Sequence, residues 1–179
     1  MAKYNIYIIC KEEELFKEKV NMFSKYKNKI CHIQWIPAEF LKLTQCNKRL
    51  LNKLDTRYNT TTKKILSKLG NIAAHRKALL SIELNQTDNN LILESDAELV
   101  DNLPSPPNVS CMMGGWIIPP QITNAGKIIP DVHPSKGMNN IDYEKFKKLM
   151  THAYFLKTKE EAKELFQTMM DESKIKNYD

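Results

Sequence analysis

Apolar and polar residues alternate along the chain in two rhythms, and the changes between them mark the elements. Residues 4–10, YNIYIIC, form a short apolar run rich in Tyr and Ile, which predicts a strand. Residues 11–26 set Leu15, Phe16, Val20, Met22 and Phe23 among charges at helical spacing, which predicts an amphipathic helix. A second strand follows at residues 31–38, CHIQWIPA, ended by Pro37. This β-α-β opening predicts parallel strands joined by a right-handed crossover.

Short helices are predicted over 46–57 and 61–69, with Gly70 expected to break the pattern. From Asn71, the positions Ile72, Ala73, His75, Ala78, Leu79 and Ile82 lie on or near one face of a further helix ending near Asn85. The turn cluster NQTDNN then leads into the strand LILE at 91–94. Beyond NLPSPPN the pattern predicts a strand in VSCMMGGWII and a long Pro-, Gly- and Asn-rich loop over 119–140, with a small hairpin around Asn124-Ala125-Gly126. Long loops often carry function. A short helix over 142–150, a strand over 151–157 and a last helix complete the chain. Thr158 and Glu161 form a capping box for that helix, which buries Ala162, Leu165, Phe166 and Met169. The expected fold is one α/β domain over residues 1–179 with a mixed, mostly parallel sheet flanked by helices.

Composition narrows the classes. The chain has 179 residues, 42% hydrophobic and 27% charged, which suits an ordinary globule with a core rather than a disordered tail. No apolar run approaches the roughly 20 residues that span a bilayer. The opening MAKYNIYIICKEEE turns acidic after a few apolar residues and does not resemble a signal peptide, so a cytoplasmic, reducing setting is expected. Cys10, Cys31, Cys46 and Cys111 are scattered without a CxxC pair and predict neither a disulfide frame nor a zinc site. A net charge of +6 fits either a solvated lysine surface or an anionic partner. The lysines form no stripe interleaved with aromatics, so a phosphate-bearing small ligand is favoured over nucleic acid.

The stretch LILESDAEL, residues 91–99, carries the chemistry. If the strand stays extended, Glu94, Asp96 and Glu98 share one direction. One reading is a solvated strand end with Asp96 capping the next turn. The other is a site for a hard cation, because Mg²⁺ and Mn²⁺ prefer oxygen and keep positions for water and phosphate. Two carboxylates about 4 Å apart repel by roughly 4 kcal/mol at an effective dielectric near 20, which a dication reverses.

The block GNIAAHRKALLSIELNQTDNNLILESDAEL resembles glycosyltransferase family 25, the lipooligosaccharide and collagen-glucosyl/galactosyl type. Gly70, Ala74 and His75 stand at the Gly, Ser and His positions of that family's helical signature, with Asn71 in place of its Cys. Glu94-Ser95-Asp96 stands at its acid triplet. YNIYIIC and IQWIPAEF resemble its first two strands, and THAYFLKTKEEAKELF resembles a late segment through Ala153, Tyr154, Ala162 and Leu165.

The resemblance implies a GT-A-like (Rossmann-like) nucleotide-sugar-binding domain, with residues 1–100 as the nucleotide-binding half and 101–179 as the acceptor-side half. It implies Mn²⁺ or Mg²⁺ and a nucleotide-diphosphate sugar as donor, with a glycan or protein hydroxyl as acceptor. Asp96 would be the principal metal ligand and Glu94 the second. His133, in PDVHPSKG, reads as a loop histidine or, alternatively, as a third ligand that completes the metal shell. Ile9, Cys10, Lys11, Ala38, Glu39, His75 and Ser95 would line the donor pocket.

Gly114-Gly115-Trp116 reads either as a bulge beside a core tryptophan or as close backbone approach to the sugar with Trp116 as a wall. Asp131 is the candidate base for an inverting reaction. His75 suits a core position as well as a donor pocket, and Arg76 and Lys77 are expected in solvent. Two other readings stand beside the transferase. One is a catalytically degenerate binding or interaction module, which Ala74 and Ser95 favour. The other, resting on charge alone, is a basic nucleic-acid-binding domain.

Overall fold

The structure is a computed structural model that describes residues 2–38, 62–99, 102–118 and 147–170. Five strands form one sheet: β1 (Tyr4–Cys10), β2 (Ile30–Pro37), β3 (Asn90–Glu94), β4 (Cys111–Ile118) and β5 (Lys147–Leu156), in the order β2-β1-β3-β5-β4. β1 pairs in parallel with β2 and β3, and β5 pairs antiparallel with β3 and β4. Four strands therefore run one way and β5 alone runs the other. The sheet is mixed and mostly parallel, compatible with a Rossmann-like fold.

Every residue of β1 is buried, because the strand sits inside the sheet with helices over both faces. Its alternating side chains feed two cores. Tyr4, Ile6, Ile8 and Cys10 join Leu91, Leu93, Ala153 and Phe155 under helix α1 (Glu13–Phe23). Tyr7 and Ile9 join Ile92, Tyr154 and Leu156 under helices α2 (Thr62–Asn85) and α3 (Lys159–Met170). The molecule is thus three layers, helix–sheet–helix.

Three predicted elements are corrected. The first helix ends at Phe23, not Tyr26, and a 3₁₀ turn over Ser24–Lys29 buries Tyr26 before β2. Gly70 does not break a helix: α2 runs unbroken through 24 residues. A mid-helix glycine costs about 1 kcal/mol relative to alanine. Burial of Ala74, Ala78, Leu79 and Ile82 on the sheet outweighs that. The predicted short helix over 142–150 is strand where it is described, since β5 begins at Lys147. Its ladder with β4, running through Met150 opposite Trp116 and Lys147 opposite Ile118, overrides the local helical pattern. The predicted helix over 46–57 and the loop with its hairpin over 119–140 lie outside the described residues.

The expected end of α2 is present and has a physical cause. Thr87 N–H bonds the Ile82 carbonyl and Gln86 N–H bonds the Glu83 carbonyl, each at 3.3 Å, while Gln86 takes φ 54°. This is a Schellman closure with glutamine in the left-handed position. The predicted capping box on α3 also forms. Glu161 N–H donates to Thr158 Oγ1 at 3.2 Å, and Thr158 N–H donates to Glu161 Oε2 at 2.9 Å. Cys10, Cys31 and Cys111 are free thiols. Among the described residues no helix is long and apolar enough to cross a membrane.

Candidate ligand-binding site at the strand ends

From β1 the chain crosses to β2 on one side, then returns past β1 to place β3 on the other. Because α1 covers one face of the sheet and α2 the other, a crevice opens where β1 and β3 reach their carboxyl ends. Open α/β sheets bind ligands at such a switch point. A cleft lies there, lined by Ile9, Cys10 and Lys11 from β1 and its exit, Ala38 after β2, Ser67, Gly70 and Asn71 from α2, and Glu94 and Ser95 at the end of β3.

Each wall has a local cause. The Cys10 carbonyl accepts both the Ala38 N–H and the Trp35 indole N–H at 3.0 Å, which ties the ends of β1 and β2 together. Burial pushes the Cys10 thiol up, so it stays neutral and contributes shape rather than a nucleophile. Ser67, Gly70 and Asn71 share a helix face by their i, i+3, i+4 spacing. The buried Gly70 puts backbone rather than a side chain against the cleft. Lys11 stands exposed at the rim, its Nζ 3.7 Å from Glu12 Oε1.

Glu94 is the most constrained polar group of the cleft. Its Oε1 accepts from His75 Nε2 at 3.0 Å and from Asn71 Nδ2 at 3.3 Å. His75 Nδ1 lies 3.1 Å from Tyr154 Oη, and the two rings stand 5.6 Å apart. The His75 and Glu94 side chains are only 13% and 23% exposed, so their contact is partly shielded from water. Burial, and then the charge of Glu94, raises the pKa of Tyr154, whose hydroxyl stays protonated. A carboxylate only accepts, so His75 Nε2 carries a proton; on the neutral ring, Nδ1 then accepts from the tyrosine O–H. The chain Tyr154–His75–Glu94 joins residues from β5, α2 and β3.

Asp96 is placed differently from the alternation argument. Extension stops at Glu94: Ala97 N–H bonds the Glu94 carbonyl at 3.0 Å, closing a turn with Ser95 and Asp96 at its corners. Ser and Asp favour such corners. Glu94 therefore turns inward to α2, whereas Asp96 is exposed one residue beyond the cleft wall. The extension that would align the two acids stops before Asp96. Among the described residues no three His, Cys, Asp or Glu side chains converge as a metal centre.

Of the other expected site residues, Glu39, Asp131 and His133 lie outside the described residues. Gly114 lies in β4 opposite Ala153, which in turn faces Leu93 on β3. That puts Gly114 level with the cleft end of the sheet but two strand spacings from β3, about 10 Å away. Gly115 follows it in the same strand. Pairing shifts register on both sides of Gly114, as the bulge reading requires. Arg76 is not simply solvated: its Nη2 donates to the Met169 carbonyl in the last turn of α3, where a helix end attracts a cation.

Sequence reasoning did not assign Ser67 or Asn71 to the cleft, and it treated Gly70 as a break. Their common helix face was readable only once Gly70 was kept inside the helix. The Tyr154–His75 contact spans 79 positions and left no local signal. A comparison with protein-family models finds none that matches the chain, and a comparison with curated proteins finds no match either.

Proposed function

We propose that the chain is a glycosyltransferase that moves a sugar from a nucleotide-diphosphate donor to a hydroxyl of a glycan or protein. The observation that carries this reading is the cleft itself. It lies at the switch point of a mostly parallel sheet, walled by the exits of β1, β2 and β3 and floored by a glycine-bearing helix face. The resemblance of the 70–98 block supports the choice of donor, because its Gly70, His75 and Glu94 either line the cleft or hold a residue that does.

The donor set fits Mg²⁺ or Mn²⁺ in a restricted sense. Such an ion takes one or two carboxylates and completes its shell with water and phosphate. Asp96, exposed at the mouth, would be the protein ligand, and Glu94 has Oε1 already committed to two N–H donors. When bound, the ion would offset charge on the departing nucleoside diphosphate. The chain's own groups do the positioning. Lys11 adds positive charge at the rim, the exits of β1 and β2 wall the cleft, and Gly70 lets the donor lie close to α2. Glu94, fixed by His75 and Asn71, offers a carboxylate beside the bound sugar.

Incubation with UDP- and GDP-sugars and Mn²⁺ tests the reading, with donor hydrolysis or transfer as readout. Turnover that falls at least about tenfold in Asp96→Ala supports it. The absence of both turnover and binding across the panel sinks it. A second reading, a module that binds the nucleotide without transfer, is favoured by Ala74 and Ser95, which stand where the resembled family has a serine and an acid. Binding without turnover in the same assay selects it.

A further inference from the structure

We propose that Asn71 is a specificity-determining residue of the cleft, whose Oδ1 accepts a hydrogen bond from a hydroxyl of the ligand's sugar ring. The inference rests on the reading of the cleft as a nucleotide-sugar site and adds which wall takes the sugar. Asn71 lies on α2 and lines the cleft together with Ser67 of the same helix and with Glu94 and Ser95 at the end of β3.

The direction of the amide follows from its partner. A carboxylate only accepts hydrogen bonds, so the Asn71 amide turns its NH₂ to Glu94 Oε1, at 3.3 Å, and keeps Oδ1 as an acceptor. His75 Nε2 bonds the same Oε1 at 3.0 Å, which leaves Oε2 as a second acceptor. Among the described residues neither Asn71 Oδ1 nor Glu94 Oε2 takes a further hydrogen bond. Two acceptors on groups bonded to each other call for a ligand that brings donors. The Ser67 and Ser95 hydroxyls on the same walls can give or take a hydrogen bond. An ionised phosphate diester brings acceptors alone and would meet the charge of Glu94. A sugar ring brings a row of hydroxyls without charge. Among the described residues that line the cleft, Lys11 alone is a cation, and it stands exposed at the rim. The sugar therefore lies against α2 and the end of β3, and the diphosphate lies toward the exit of β1. A site built to bond a hydroxyl discriminates strongly against ligands that lack it.

The experiment is calorimetry on the full chain with UDP, UDP-glucose and UDP-galactose, each with Mg²⁺, in wild type and Asn71→Leu. Asn71 is exposed on its helix, and leucine favours helix more than asparagine does, so the variant should fold. Wild type should bind one or both sugar nucleotides about tenfold tighter than UDP. Asn71→Leu should lose that gain and still bind UDP within about twofold of wild type. Equal wild-type binding of UDP and both sugar nucleotides overturns the proposal, as does a variant that keeps the gain. A variant that weakens UDP and the sugar nucleotides alike also overturns it, because an amide that only steadies Glu94 would act on every ligand. If no nucleotide binds at all, the nucleotide-sugar reading of the cleft fails, and methyl glucoside and methyl galactoside titrated alone decide the role of Asn71. Backbone amide NMR shifts that saturate at Asn71, Glu94 and Ser95 in wild type and vanish in Asn71→Leu uphold it. Their absence from wild type overturns it.

Discussion

Glu94 carries a charge to the end of β3, and two residues of α2 decide how it is held. Losing His75 would remove one of the two hydrogen bonds that Glu94 Oε1 accepts among the described residues and leave the buried Tyr154 hydroxyl without this partner. An unsatisfied buried polar group costs about 1–3 kcal/mol. His75→Ala should therefore lower unfolding stability by about 2 kcal/mol in denaturant titrations. Asp96→Ala, at an exposed turn corner, should change it by no more than about 0.5 kcal/mol. Equal losses from both would contradict the placement of the two acids. At this scale the sequence revealed the residues more readily than their geometry. E-S-D stood out as chemistry, and His75 as a pocket candidate. The alternation that paired Glu94 with Asp96 assumed extension, and the turn-forming Ser95-Asp96 was the local signal against it. The tyrosine partner was invisible because contacts across 79 positions leave no periodic trace.

Among the elements, α2 and α3 make the clearest contrast. The capping box of α3 was legible because its parts lie three residues apart. The structure adds Ser110, whose Oγ donates to Glu161 Oε2 at 2.6 Å. That bond, with the Thr158 and Lys157 backbone bonds, holds the Glu161 carboxyl below its ordinary value of 4.5. A carboxyl depressed in the folded state stabilises above its unfolded pKa, and that contribution is lost as pH falls through the folded value. Wild type should therefore lose melting temperature below about pH 4.5 more steeply than Glu161→Gln. Identical acid limbs would show that the cap carries no charge-dependent stability.

The helix α2 was misread at Gly70 because a lone glycine is a common local stop, whereas packing on the sheet decides the matter here. Gly70→Ala should leave the melting temperature equal or higher, since alanine favours helix by about 1 kcal/mol. The same change should weaken nucleotide binding by placing a methyl group against the cleft. A variant that binds as wild type would mean that no ligand approaches that face of α2. The start of β5 shows the opposite limit: Lys147–Met150 has a helical pattern, and only its partner strand makes it a strand.

At the scale of the molecule, the β-α-β opening and the strand at 91–94 predicted the parallel half of the sheet, and that half builds the cleft. The position of β5 between β3 and β4 was not legible, because strand order beyond the first crossover depends on pairings between distant segments. That order matters for function. It brings Tyr154 beneath α2 and sets the bulged Gly114 at the same end of the sheet as Glu94. The central claim is that the switch-point cleft holds a nucleotide. It is tested most directly by following backbone amide NMR shifts of the whole chain as UDP and Mg²⁺ are added. The account predicts that the largest shifts cluster at Ile9–Lys11, Ser67, Gly70–Asn71 and Glu94–Ser95 and saturate with nucleotide. Shifts that never saturate, or that gather on the α1 face of the sheet, would contradict it.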